Sequence, residues 1–220
     1  PRRPVRSLPV GGDPMNAAHA HYLEARRQLL FGHLDQAEQT LAGLDPEHLP
    51  PAFTTVHELI VAGIAMRRVR AKAASGALAR AERAARRSGI PALAAEVESA
   101  TAVLDAPAAR SIARGEERVL QLDEVEALFA TKALIVDACR YVVRDTRTMI
   151  SLVRRPVLFA LARALGEAWP QDVPRDALVA RAFRGKRADE SYRARLRVEI
   201  GRLRRELRPL ADITATSRGF

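Results

Sequence analysis

Of the twenty residues from Asp189 to Arg208, D-E-S-Y-R-A-R-L-R-V-E-I-G-R-L-R-R-E-L-R, seven are arginine. A guanidinium keeps its charge at any physiological pH, and its planar fork of N–H donors matches phosphate oxygens or the O6/N7 edge of guanine. On an α-helix, at about 100° per residue, Tyr192, Leu196, Ile200, Leu203 and Leu207 fall within an arc of about 80°, which predicts one buried stripe. The opposite surface then carries Ala194, Val198 and Gly201 at its centre, with Arg195, Arg202 and Arg205 around them and Arg197, Arg204 and Arg208 along one flank. Small central residues let a helix sink into the DNA major groove while flanking arginines reach phosphates or bases. A helix that served only to keep the surface wet would interleave glutamate for i,i+4 pairs. Beyond its first turn this one has only Glu199 and Glu206.

Charge is distributed to match. The net charge of +10 arises entirely after residue 130: residues 1–130 hold 16 Lys+Arg against 16 Asp+Glu, and residues 131–220 hold 20 against 10. A neutral front joined to a basic back implies a module without polyanion business attached to one that binds a polyanion. A compositional bias toward arginine would have raised both parts.

Other chemistry finds little purchase. His19 and His21, two apart on a helix, point in different directions and make a poor metal clip. His57-Glu58 begins an H-E-x-x-H pattern, but Val61 stands where the second histidine should be. There is no G-x-x-x-x-G-K-[ST] loop, and no nucleophile, base and orienting group can be assembled, so neither an enzyme nor a cofactor is expected. One cysteine, Cys139, excludes an internal disulfide and reads as a packed or half-exposed thiol. No apolar run approaches the roughly 18 residues of a membrane span, and no signal peptide is visible, so a cytoplasmic protein is expected.

These side chains need elements to carry them. Residues 1–13, with Pro-Arg-Arg-Pro and Gly11-Gly12, read as a linker or a trimmed end. From 14 to 104 the apolar spacing predicts helical hairpins: one helix up to Gly32, a second through Leu34, Ala37, Leu41 and Leu44 that Asp45-Pro46 ends, a third from about Thr54 to Met66, a fourth over 73–85 stopped at Ser88-Gly89-Ile90-Pro91, and a fifth over 93–104. Residues 105–130 read as a connector, with a hinge at 105–112 and a small helix at 123–129. The period then changes to two over 133–137, 140–144 and 148–152, predicting a small antiparallel meander. Three helices follow: one from Pro156, one from Asp172-Val173-Pro174 and, after a loop at 184–188, the arginine-rich helix. Trp169 is expected to plug the turn between the first two.

Two stretches resemble known families. L-L-F-G-H-L-D-Q-A-E-Q-T-L-A-G-L-D-P, with Gly32, Ala37 and Pro46 in the small-residue, alanine and closing-proline slots, resembles a tetratricopeptide repeat; a plain helical bundle is the alternative. Residues 133–220 resemble the winged-helix domain of the OmpR/PhoB response-regulator family: Ile200, Leu203, Arg204 and Leu207 fill an I-x-x-L-R-x-x-L run, and Thr216, Arg218 and Gly219 fill the T-x-R-G of the wing. Helical repeats beside such a domain also resemble the AfsR-like bacterial regulators. The resemblance implies a mainly α fold, with tetratricopeptide-like hairpins followed by a winged helix-turn-helix and a small antiparallel sheet. It also implies a transcription regulator whose helix 189–208 enters the major groove of double-stranded DNA while the wing, 211–220, lies on the neighbouring backbone or minor groove.

The expected contacts are Arg193, Arg195, Arg197, Val198, Arg202, Arg204 and Arg205 on the helix and Thr216 and Arg218 in the wing. Two copies per operator are expected, and RNA polymerase or another regulator is the partner implied for the helical half. The pattern departs from the family at Val153 and Pro156, where Thr and Glu are usual, and at Ala194 and Glu199, where Arg and His are frequent, so base preference does not carry over. No phosphorylatable receiver unit precedes the winged helix. The rival reading is a scaffold whose degenerate winged helix binds protein.

Overall fold

A computed structural model describes residues 14–183 and 189–220; the expected N-terminal linker and the loop at 184–188 lie outside the described residues. The chain divides into two compact units with the boundary after Ala106.

The first unit is helical. It runs α1 (Pro14–Leu30), α2 (Leu34–Ala42), a 3-10 turn (Pro46–His48), α3 (Pro51–Arg67), α4 (Ala71–Ser88) and α5 (Pro91–Leu104). Prolines at the first turns of α3 and α5 suit positions whose N–H has no intrahelical acceptor. Gly32 and Gly89 take positive φ, +79° and +64°, where the chain turns from one helix to the next. Helix α2 stops at Ala42, with Gly43 as its cap, so Asp45-Pro46 does not end it; Pro46 instead opens the 3-10 turn. Alanines set the packing distance: Ala62, Ala77 and Ala81 are wholly buried between α3 and α4 with Leu59, Leu78 and Val97 around them. Gly63 lets α3 close on α1, since a Cβ there would stand 2.7 Å from Leu29 Cδ2. The buried carboxylate of Glu58 accepts two hydrogen bonds from Arg80, at 2.8 and 2.9 Å.

The second unit opens on elements where a connector was expected. Strands β1 (Ala109–Ala113) and β2 (Glu116–Leu120) form an antiparallel hairpin, and α6 (Leu122–Ala130) follows behind a capping box of Gln121 and Glu124. The hairpin turns at Arg114 and Gly115, both at positive φ, which is the twist a two-residue hairpin turn needs. Residues 107–130 therefore belong to the second unit, and the hinge expected at 105–112 contains a strand.

Strands β3 (Ile135–Asp137), β4 (Val142–Arg144) and β5 (Met149–Ser151) make the expected antiparallel sheet in the order β3-β4-β5, shorter than the apolar alternation suggests. Asp137 and Asp145 shape its two turns by accepting backbone N–H bonds from Cys139 and Arg140 and from Arg147 and Thr148. Helices α7 (Pro156–Ala168), α8 (Arg175–Ala182) and α9 (Glu190–Leu207) complete the unit. Its core joins Val143 and Leu152 to Leu158, Leu161, Leu178, Val179 and the inner face of α9. Trp169 does not plug the turn after α7: it is 57% exposed, and the Arg114 guanidinium lies 5.3 Å from its ring centroid, so the hairpin turn covers it instead of the core. The architecture is thus mainly helical with two small antiparallel sheets.

Two stability measurements follow. Leu203, fully buried, should cost about 2–5 kcal/mol on Leu203→Ala, whereas exposed Val198→Ala on the same helix should stay within about 0.5 kcal/mol; urea unfolding followed by the emission of Trp169, the single tryptophan, separates them. In the first unit, burial holds the His57 imidazole below its ordinary 6.5, partly opposed by Glu58. The unfolded chain therefore binds that proton more tightly. Stability should be intact above about pH 6.5 and fall as pH drops through the depressed His57 value, and His57→Gln should flatten that part of a helical-circular-dichroism melting profile.

Candidate nucleic-acid interface

Helix α9 begins at a genuine cap, with the Asp189 carboxylate accepting the Tyr192 N–H at 2.9 Å. Leu196, Ile200, Leu203 and Leu207 are buried, at 0–4% exposure, and Tyr192 is half-buried against Phe183. That burial fixes the rotation of the helix. Ala194, Val198, Gly201 and Arg205 consequently face solvent, and a Cβ placed on Gly201 would meet no heavy atom within 4 Å.

The expected contact residues divide by what they already touch. Arg193 is drawn to Asp176 of α8, at 3.2 Å, and Arg197 to Glu190 about two turns back, at 3.3 Å. Arg202 pairs with the half-buried Glu199 at 2.8 Å, and the Arg195 guanidinium stacks 4.9 Å from the Phe183 ring centroid. All four arginines remain exposed, and exposed ion pairs of this kind contribute about 0–1 kcal/mol, so exchanging a carboxylate for a phosphate costs little. Arg205 and Arg218 are exposed and pair with no carboxylate among the described residues. Arg204 differs: its Nε–H donates to the carbonyl of Ile213 at 2.6 Å, so it serves the tail that follows the helix.

That tail, residues 211–220, holds no strand longer than a single bridge, Gly219 to Pro174. Around it the Val173 N–H donates to the Phe220 carbonyl at 2.9 Å and the Phe220 N–H returns to Val173 at 3.3 Å. Thr216 closes a tight turn, its hydroxyl accepting the Gly219 N–H at 2.9 Å and its own N–H donating to the Gly219 carbonyl at 3.0 Å. Thr216 is therefore occupied in shaping the turn that presents Arg218. One residue the sequence reading passed over belongs with them: Arg175, in the first turn of α8, donates to the carbonyls of Thr216 and Ser217 at 2.9 and 3.2 Å. Nothing local in the sequence marks it, because its acceptors are backbone atoms more than forty positions away.

A cleft of about 410 Å³ lies between the start of α7 and the second half of α9, lined by Arg155, Arg202, Arg205, Glu199 and Glu206 among others. Arg155 pairs with Glu206 and Arg202 with Glu199, which leaves Arg205 as its uncompensated charge. Among the described residues no three His, Cys, Asp or Glu side chains gather as a metal ion would require, and no helix is long and apolar enough to cross a membrane. Compared with protein-family models, curated proteins and solved structures, the chain matches none of them.

Gly219 is where this arrangement tolerates least. A Cβ there would stand 1.8 Å from the Val173 carbonyl oxygen and 2.7 Å from its carbon, and backbone cannot yield as a side-chain tip can. Gly219→Ala should therefore release the tail. Amide hydrogen exchange at Phe220 should rise well above wild type while the amides of buried α9 residues keep their protection; unchanged protection at Phe220 would show that the bridge does not hold the tail.

Proposed function

We propose that the chain is a DNA-binding transcription regulator of the cytoplasm, reading duplex DNA with the outer face of α9 and anchoring on the flanking backbone with the 211–220 tail in the manner of a wing. The observation that carries this reading is the face itself: burial of the Leu196, Ile200, Leu203 and Leu207 stripe turns out small residues at Ala194 and Gly201, with Val198 and Arg205 beside them and further arginines at Arg195, Arg197 and Arg202. Such a face is shaped for a groove and charged for a polyanion. The resemblance of residues 133–220 to the OmpR/PhoB winged-helix domain supports it, as does the confinement of the charge excess to residues 131–220.

Arg204 moves to a supporting role in this reading, because the tail already engages it. Arg193, Arg195, Arg197, Val198, Arg202 and Arg205 are left for the groove and its phosphates, and Arg218 for the backbone. The charge-balanced helical unit, tetratricopeptide-like in its Ala37 and Gly63 packing positions, would serve protein interaction, with RNA polymerase or a second regulator as its partner. One α9 buries too little surface for strong specificity, so two copies per operator are proposed. A protein-binding scaffold would display apolar side chains where α9 displays arginine, and Val198 alone does not make such a surface.

The salt dependence of binding tests this. If the basic unit makes about six phosphate contacts, log K for a mixed-sequence duplex should fall against log salt with a slope of about −5, measured by fluorescence anisotropy with the full chain. A slope near zero would favour the scaffold.

A further inference from the structure

We propose that Arg175 and Arg204 are positioning residues that clamp the tail from two helices, so that Arg218 is presented to a DNA phosphate from a fixed point. The proposal rests on the DNA-binding reading and adds to it the device that holds the wing.

The tail needs such a device. Its carbonyls at Ile213, Thr216 and Ser217 are taken by the two arginines: Arg204 Nε–H on Ile213, and the two Arg175 Nη groups on Thr216 and Ser217. The same guanidiniums flank the Phe220 ring, their central carbons 5.4 Å (Arg175) and 5.6 Å (Arg204) from its centroid, so one aromatic side chain is gripped by both. Among the described residues Arg218 itself pairs with no carboxylate, yet it is bracketed: the carbonyl before it is held by Arg175, and the glycine after it abuts the Val173 carbonyl with no room for a Cβ. Its side chain therefore springs from an immobilised Cα, which lowers the ordering cost of placing it on a phosphate.

The location of Arg175 points the same way. It occupies the first turn of α8, where the helix dipole disfavours a cation and where Asp176 is the natural occupant. A positive charge there works against the helix and finds its compensation in the tail carbonyls and the Phe220 ring. Replacing it with a neutral residue should leave α8 intact while freeing the tail.

The test is a double-mutant cycle on duplex DNA with the full chain. Arg218→Ala alone should weaken binding about tenfold and reduce the salt slope by about one unit. In the Arg175→Gln/Arg204→Gln background the same change should cost under about threefold, because an unclamped Arg218 no longer reaches its phosphate from a fixed point, while Arg197→Ala should cost the same in both backgrounds. A direct phosphate contact by Arg204 would lower affinity without touching the Arg218 increment, so an undiminished tenfold loss overturns the proposal. So does an Arg218→Ala chain that binds as tightly as wild type. Trp169 emission and helical circular dichroism confirm folding, and Arg175→Gln alone replaces the double variant if that one melts. Should the wild-type chain bind no duplex at all, the DNA-binding reading falls, and with it the role of Arg218. The clamp is then judged by tryptic cleavage after Arg218, which should be about tenfold faster in the double variant, opening of a local segment being what admits the protease. An equal rate would overturn the clamp as well.

Discussion

The burial of four aliphatic side chains, Leu196, Ile200, Leu203 and Leu207, against the core of the second unit determines which way the arginine-rich helix faces. Each is at or below 4% exposure, and together they remove one whole stripe of α9 from water. A helix has one rotational degree of freedom about its axis, and this stripe removes it. The outer face follows from it: the open space at Gly201, the exposure of Val198, and the arginines spread to either side.

Electrostatics then sorts the arginines. Those near a carboxylate on the same or a neighbouring helix are held loosely, as Arg197 is by Glu190, whereas Arg204 and Arg175 are bonded to backbone carbonyls and an aromatic ring in the tail. Exposed pairs exchange readily for a phosphate, and contacts that fix a loop do not exchange without moving it. The helical unit presents a different balance, with an alanine-lined core and the Glu58–Arg80 pair satisfying a buried carboxylate. Its charge neutrality suits a partner other than a polyanion.

Much of this was legible in the sequence where apolar residues repeat with a helical period. The stripe on α9 and the five helices of the first unit are plain in the spacing, because burial of one face leaves a regular trace. The β1-β2 hairpin left none. Its strands bury only Leu120 outright and their burial does not alternate, so no period of two develops, and its only local signal is the Arg114-Gly115 pair at the turn. Asp45-Pro46 looks like a helix stop, but Gly43 caps α2 three residues earlier, and the proline is used to open the next turn. The roles of Arg175 and Arg204 were hidden for a different reason. Their partners are carbonyl oxygens, which every residue carries, so no side-chain pattern can reveal them.

The central claim is that the outer face of α9 and the tail meet duplex DNA while the helical unit does not. An NMR titration of the isotopically labelled full chain with a duplex, at fixed low salt, tests it residue by residue. The account predicts that amide shifts concentrate at Ala194, Arg197, Val198, Gly201 and Arg205 and at 216–219, with the amides of 14–104 left in place. Shifts gathered on the helical unit, or none on the outer face of α9, would contradict it.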